Sequence, residues 1–210
     1  MASNITQSRP AGQAILRKLT QPLYDTNILE NAAATANVQF FRLPVGAPMP
    51  VTAVAKTEAD TNLNQAGQLG TPQMFDLEGF NVEYSIVDYT DVADNAADLI
   101  LLYQQSVFTF FFGQNRPWLE LPLSQIPTGC YLTGNYQDGD VTANTEAMWV
   151  HEGLARVSEV YNFTVGKQAI RVHPAEAFNA EITWPNGAVT WNAARSRIRC
   201  YMIGSLYTAL

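Results

Sequence analysis

The chain has 210 residues, of which 47% are hydrophobic, 11% aromatic and only 15% charged, and its formal net charge is -7. This length suits one all-β domain with a sizeable core. The negative charge argues against direct nucleic-acid binding, because neutralising phosphates requires clustered Lys and Arg. Polar, uncharged surface costs little to desolvate, so the composition fits either subunit contacts or an ordinary extracellular β protein.

Residues 1–37 are predicted to form an N-terminal arm, and residues 38–210 a single β domain. Ala11–Leu19 has weak helical character and could lie on a membrane or a neighbouring subunit, or form a mobile terminus. The first residues lack the pattern of a signal peptide, so none is predicted. The uncharged run Leu99–Asn115 is too short to span a membrane as a helix.

Alternating apolar and polar side chains predict strands from Val38 onward. After a polar loop at 56–72, Phe75–Ser85 alternates with a change of phase at Gly79, which predicts a β-bulge there. Asn186-Gly187 is a hairpin signal. Later strands are predicted at Cys130–Thr133, Ala147–His151, Ala155–Thr164, Ala169–Val172, Ala177–Trp184 and Ile198–Thr208. About eight strands with no internal repeat fit a β-sandwich.

One helix is predicted at Asp91–Gln105, with acids in its first turn and apolar residues at helical spacing. The strand that follows, Val107–Phe112, carries aromatic side chains on both faces because side chains alternate. Its inward residues are predicted to be Phe108, Phe110 and Phe112.

The next segment is apolar but interrupted by prolines, which are expected to prevent regular sheet pairing. It is therefore predicted to lie near a boundary between subunits. The candidate contact residues are Trp118, Leu119, Leu121, Leu123 and Ile126.

A row of three arginines near the C-terminus, Arg195, Arg197 and Arg199, completes the set of contact candidates. Alternate positions place all three on one face of a strand. Residues 57–115 hold nine acids and no Lys or Arg. Acidic and basic surfaces could meet across a subunit contact or at a membrane surface, or the arginines could form a solvated face.

No motif of an enzyme, metal or cofactor site is present. His151 and His173 are isolated, and Cys130 and Cys200 lack the spacing of a zinc site, so they either pair or remain free thiols. Asp138-Gly139-Asp140 lacks the other ligands of a calcium loop and reads as a surface turn. Serine-hydrolase and phosphate-binding glycine motifs are missing. The sequence therefore predicts no catalytic, cofactor-binding or metal-binding residues and no small-molecule substrate.

The order of elements resembles one viral family. An arm leads to a glycine-bearing strand (LEGFNVEYS), a helix (ADLILLYQQ), a Phe-rich strand with a Pro-bearing segment (VFTFFFGQNRPWLELPLSQIPTG), and two closing strands (AEAFNAEITWP and RIRCYMIGSLYTAL). This resembles the single jelly-roll major capsid proteins of tailless, icosahedral, membrane-containing bacteriophages and archaeal viruses. The resemblance covers about Val38–Leu210 and rests on the order and texture of the elements.

The resemblance implies an all-β, single jelly-roll sandwich with one short helix and an extended arm. It implies a virion protein, made in the host cytoplasm, that self-assembles into the capsomers of an icosahedral shell. Its partners would be further copies of itself; a second capsid protein and contact of the arm with an internal membrane stay open. The resemblance supplies no catalytic residues.

Two other classes compete with this reading. One is a carbohydrate- or receptor-binding β-sandwich, such as a phage spike or lectin-like module, with Trp118, Trp149, Trp184 and Trp191 lining a groove instead of the core. The other is a jelly-roll enzyme of the cupin type, which two separated histidines disfavour.

Overall fold

The computed structural model describes residues 16–31, 34–86, 92–113, 116–126, 132–134, 149–151, 161–162 and 170–209. In chain order the elements are β1 (Leu16–Leu19), β2 (Leu23–Glu30), β3 (Asn37–Phe40), β4 (Met74–Ile86), helix α1 (Val92–Gln105), β5 (Val107–Phe112), β6 (Arg116–Pro122), a 3₁₀ turn (Leu123–Gln125), β7 (Leu132–Gly134), β8 (Trp149–His151), β9 (Tyr161–Asn162), β10 (Ile170–Val172), β11 (Phe178–Thr183) and β12 (Arg195–Ala209). Over these residues the chain is an all-β sandwich of antiparallel sheets with one α-helix, and the predicted fold class is confirmed.

The two sheets pack face to face around an aromatic core. The first sheet centres on β12, which pairs with β4 on one side and with β1 and β2 on the other, while β9 and β10 pair with the far side of β4. The second sheet runs β3-β11-β5-β6, and β7 pairs with β8 separately. Across the interior, the ring of Phe80 lies 4.8 Å from that of Phe110 and 5.2 Å from that of Phe108.

The domain boundary predicted between residues 37 and 38 is wrong. β2 pairs with β12 over eight residues, and Leu23 and Leu29 are buried in the core. β1 also belongs to the sheet, since Leu16–Leu19 pairs with 206–209. The helical character predicted for Ala11–Leu19 is therefore wrong over Leu16–Leu19, because the edge of β12 supplies backbone partners that outweigh a weak helical pattern.

The predicted bulge at Gly79 is confirmed. Gly79 faces Ile203 and Leu77 faces Gly204, so Glu78 is the extra residue on β4. The buried side chains change phase across it: Phe75 and Leu77 lie inside before the bulge, and Phe80, Val82 and Tyr84 lie inside after it. One extra residue thus lets a long strand keep its apolar face inward on both sides of the irregularity.

The Phe-rich strand behaves as its alternation predicts. Phe108 and Phe110 are fully buried, and Phe112 is half-buried with its ring 6.4 Å from that of Phe110. The assignment of the first two to the core is confirmed, and Phe112 lies at the margin of that core.

The predicted helix is present as α1 over the described residues Val92–Gln105, and it connects the first sheet to the second. Tyr103 Oη donates to the backbone oxygen of Val82, at 3.1 Å, and Trp184 Nε1 donates to that of Leu101, also at 3.1 Å. The helix therefore contacts β4 of one sheet and the end of β11 in the other.

The Asn186-Gly187 turn is present, but it does not join a hairpin. Gly187 N–H donates to the backbone oxygen of Trp184 at 3.0 Å. The strands on either side, β11 and β12, lie in different sheets, because both edges of β12 are occupied by β4 and by β1 with β2. The hairpin prediction is therefore wrong, although the turn is correct.

Candidate subunit-contact surfaces

The proline-bearing segment is a regular edge strand. β6 pairs with β5 from Arg116, opposite Phe112, to Pro122, opposite Val107. The prediction that prolines prevent sheet pairing is wrong, because β5 is the one strand that neighbours β6 among the described residues, and the prolines can point the side that lacks an N–H away from it. Prolines on the open edge also blunt uncontrolled strand addition.

Trp118 is the extra residue of a bulge in this edge strand. Leu119 faces Phe110 and Pro117 faces Phe111, so Trp118 has no counterpart on β5. Its side chain is 46% exposed. Phe110 points into the core, so Phe111 points to the outer face, where it is half-buried. Pro117 lies opposite Phe111 in the strand register and Trp118 follows it in the chain, and we call these three residues the β6 edge patch.

The other apolar candidates of this segment turn inward. Leu119 and Leu121 are half-buried and pack against the core. Leu123 is 0% and Ile126 is 2% exposed. Leu123 N–H donates to Ser106 O at 3.0 Å, which starts the 3₁₀ turn and brings both side chains into the interior. The prediction that Leu123 and Ile126 lie at a subunit boundary is therefore wrong.

The three arginines lie on one face of β12, as predicted, with the buried Ile198 and Cys200 on the opposite face. Arg195 Nη2 lies 2.8 Å from Glu30 Oε1 of β2. Arg197 is half-buried, and its Nε has no hydrogen-bond partner among the described residues.

Arg199 binds the surface of its own subunit. It donates from Nε to Thr26 Oγ1 at 2.8 Å and from Nη2 to the backbone oxygen of Ala59 at 2.9 Å. Tyr201 Oη lies 3.2 Å from Arg199 Nη1 and donates to Glu83 Oε2 at 3.0 Å. Arg195 therefore pairs with an acid of β2, and Glu83 of the acidic middle is linked to Arg199 through the Tyr201 hydroxyl, all within one subunit.

This cluster predicts an alkaline limit to stability. Burial, which outweighs the opposing hydrogen bond from Arg199, raises the pKa of Tyr201 to about 12. The folded pKa lies above the ordinary tyrosine value of 10.0, so the stabilisation is complete below pH 10.0 and is lost as the pH rises towards 12. We expect melting temperature to fall less steeply over this window in Tyr201→Phe than in the wild type. Tyr207→Phe removes a hydroxyl from the same strand as a control, and equal slopes in both variants would contradict the assignment.

A second exposed apolar surface was not predicted from the sequence. The loop after β3 folds back on itself, with Met49 N–H donating to Val54 O and Lys56 N–H donating to Ala47 O, both at 2.8 Å. The exposed side chains of this valine loop are Val45, Val51 and Val54. A groove of about 360 Å³ lies between this loop and strands β2 and β3.

A pocket rich in carboxamides lies where β1 leads into β2. Its volume is about 240 Å³, and leucines form its apolar part. Asn62 is already committed to the backbone, accepting from Tyr24 N–H at 3.0 Å and donating to Pro22 O at 2.8 Å. The carboxamide side chains of the lining belong to Gln21, Asn62, Asn64, Gln68 and Gln73.

Two of the tryptophans proposed for a sugar groove belong to the core. Trp184 and Trp191 are buried, with ring centroids 5.5 Å apart, and Trp191 Nε1 donates to Thr35 Oγ1 at 2.9 Å. The side chain of Trp149 lies outside the described residues. Trp118 is thus the exposed tryptophan of the described part of the chain.

The residues considered for metal or redox chemistry are dispersed or lie outside the described residues. Cys200 is a buried free thiol whose pKa is raised well above its usual value by desolvation. Cys130, Asp138–Asp140 and the side chain of His151 lie outside the described ranges. Within those ranges no group of His, Cys, Asp and Glu side chains could hold a metal ion. No described helix combines the length and apolarity needed to cross a membrane.

Comparison with protein-family models, with curated proteins and with solved structures gives no significant match for this chain.

Proposed function

We propose that the protein is a capsid subunit with a single jelly-roll fold, which assembles through copies of itself into an icosahedral shell. The observation that carries the proposal is the pairing order of the strands. β2 pairs with β12, β3 with β11, β4 with β10 and β5 with β6, all antiparallel. The four pairs are nested. The innermost pair joins β5 to β6, and the later strands β10, β11 and β12 then lie beside the earlier strands β4, β3 and β2 in reverse order.

This nested order supports a jelly roll over a simple meander. The sheet orders β2-β12-β4-β10 and β3-β11-β5-β6 place the two members of each pair side by side and send successive pairs to alternate sheets. This order supports the proposal of a jelly roll, an eight-stranded double Greek-key architecture that is found in viral capsid and lectin domains. Because many functions share it, the fold alone does not select the capsid role.

The surface of the sandwich supplies the second support. The β6 edge patch joins an exposed Trp to Pro117 and Phe111, and aromatic side chains are enriched at protein interfaces. The valine loop offers another apolar surface. A single such contact is weak, but closed symmetry repeats it many times and makes the assembly stable.

Trp118→Ser is expected to weaken assembly and leave the fold intact. A half-exposed side chain at an edge bulge contributes about 1 kcal/mol or less to folding, whereas an aromatic anchor at an interface contributes about 2 kcal/mol or more to binding. Sedimentation velocity over a concentration series should show the variant dissociating at concentrations where the wild type stays oligomeric.

Ile100→Ser is the matched control, because Ile100 is 49% exposed on the helix and lies outside the β6 edge patch. Its oligomeric state should equal that of the wild type. A Trp118→Ser protein that assembles as the wild type does would remove the β6 edge patch from the shell contacts.

Electron microscopy of the purified protein at rising concentration tests the function itself. Capsomers or closed shells are expected. A protein that stays monomeric at concentrations where its apolar patches should associate would overturn the capsid proposal.

The carboxamide pocket is the observation that favours the second candidate, a carbohydrate- or receptor-binding module. Side-chain amides both donate and accept hydrogen bonds, as sugar hydroxyls require. A glycan array discriminates the two: selective binding that is lost on Asn64→Ala would support the binding module, and an array without hits would leave the capsid role as the better proposal.

A further inference from the structure

A lysine and an aspartate form a buried ion pair inside the sandwich. Lys56 Nζ lies 2.5 Å from Asp25 Oδ1, and the two side chains are 0% and 1% exposed. Asp25 lies on β2 and Lys56 ends the valine loop, so the pair joins two distant parts of the chain. Neither the capsid proposal nor the carboxamide pocket uses this pair.

The ammonium group is poorly satisfied for a buried charge. A lysine ammonium has three protons to donate. Among the described residues, Asp25 is the one acceptor within hydrogen-bond distance of Lys56 Nζ. A buried ion pair offsets its desolvation only when its remaining hydrogen-bonding capacity is also met. Conversion of this ion pair to an uncharged product would therefore remove a large desolvation cost.

The carboxylate is polarised from its other side. Phe41 N–H donates to Asp25 Oδ2 at 2.7 Å. Phe41 has φ 65°, a left-handed conformation that is uncommon for a bulky residue and is often found at functional sites. The loop thus holds a backbone donor on one carboxylate oxygen while the lysine nitrogen lies beside the other.

We propose that Lys56 and Asp25 condense to an intramolecular amide bond. A proton passes from Lys56 Nζ to Asp25 Oδ1, which leaves a neutral amine and a neutral carboxylic acid. The amine attacks Cγ, and negative charge develops on Oδ2, where the Phe41 N–H stabilises it. A second proton passes from the nitrogen to the Oδ1 hydroxyl, and the Cγ–Oδ1 bond breaks to release one water. Ammonium plus carboxylate therefore becomes amide plus water, with no oxidant or cofactor.

Burial supplies the conditions for this reaction. Desolvation, the largest influence, raises the pKa of the Asp25 carboxyl despite the attraction of Lys56, and so favours the protonated acid that can lose water. The reacting groups are held in contact, which replaces a bimolecular encounter by a positioned one. The product amide retains one N–H to satisfy in place of an ammonium, and both buried charges disappear.

Intact-mass spectrometry of the denatured full-length protein tests the bond. The Lys56→Arg variant keeps the positive charge but cannot form the amide, because the guanidinium does not deprotonate in proteins. After correction for the substitution, the wild type should be lighter than this variant by one water. Lys18→Arg, on the exposed strand β1, is the matched control and should keep the deficit.

Two further measurements locate the missing water. Peptide mapping should find the peptides that contain residues 25 and 56 joined, which excludes dehydration at Asp138-Gly139. An amine-reactive label applied to the denatured wild type should modify Lys18 and Lys167 but leave Lys56 unmodified.

Asp25→Asn should yield the same final mass as the wild type, because loss of ammonia from that variant gives the identical amide. A wild type at its full sequence mass, with Lys56 labelled, would overturn the proposal even if every variant failed to fold.

Discussion

Gly204→Ala is expected to destabilise the sandwich severely. A Cβ at this position would lie 2.0 Å from the backbone oxygen of Asp76 and 3.0 Å from both its carbonyl carbon and Phe75 Cζ. Two of these atoms belong to the β4 backbone, which cannot move away without breaking its pairing with β12. A loss of about 4 kcal/mol or more would follow, against a total stability of about 5–15 kcal/mol for a typical domain.

Urea unfolding followed by tryptophan fluorescence measures this effect. Gly46→Ala is the control, because Gly46 has φ +88° but nothing within 4 Å of an added Cβ. The control should lose only about 1–2 kcal/mol from its left-handed backbone. If the two variants unfolded at the same urea concentration, β12 and β4 could not approach as closely as described at the bulge.

At this bulge, the local sequence pattern predicts the irregularity in β4 but not the residue that lies opposite it in β12. The phase change at Gly79 is local and visible in the alternation of Phe75–Ser85, so the bulge itself is predictable. Its partner, Gly204, is far away in sequence and follows from the register of β4 against β12. The alternation within Ile198–Thr208 does not reveal that the close approach of β4 requires a glycine at position 204.

β2 was missed for a related reason. Alternation identifies a strand when one face is buried and the other is wet. Five consecutive residues of β2, Asp25–Leu29, are buried, and three of them are polar. Their partners come from elsewhere: Asp25 meets Lys56, and Asn27 Nδ2 donates to the backbone oxygen of Gln39 at 2.8 Å. Buried polar residues of this kind look like an arm until their distant partners are known.

The exposure of the candidate contact residues was predicted in part. The exposure of Trp118 follows from an aromatic residue within a proline-bearing edge, but the same pattern placed Leu123 and Ile126 with it. A 3₁₀ turn reverses the direction of the side chains between them. The prediction that Arg195, Arg197 and Arg199 face one side is correct, whereas the partners on β2, Glu30 for Arg195 and Thr26 for Arg199, depend on tertiary pairing.

Asp98→Ala is expected to cost about 3–5 kcal/mol, the second large effect in this chain. The Asp98 side chain lies on helix α1 and is 0% exposed. Its Oδ1 accepts from Asn192 N–H at 2.8 Å and from Asn192 Nδ2 at 2.9 Å, and its Oδ2 accepts from Ala193 N–H at 2.8 Å. Tyr84 Oη lies 3.4 Å from Oδ2. Removing the carboxylate leaves several buried donors without an acceptor.

The damage should be visible at the tryptophans before the whole fold is lost, because Asp98 holds the segment that begins with Trp191. The Trp191 ring lies 6.4 Å from that of Tyr84 and 5.5 Å from that of Trp184, an asymmetric aromatic cluster that should give a near-ultraviolet circular dichroism signal. Asp98→Ala should reduce this signal and lower the melting temperature. Glu30→Ala breaks the half-exposed ion pair with Arg195 and should cost about 1 kcal/mol or less with the aromatic signal unchanged. Asp98→Asn keeps the shape of the side chain but removes its charge. Because an amide has only one accepting oxygen, the loss of stability in Asp98→Asn should fall between the losses in Asp98→Ala and Glu30→Ala. An Asp98→Ala protein as stable as Glu30→Ala would mean that the helix is held to this loop by apolar packing alone.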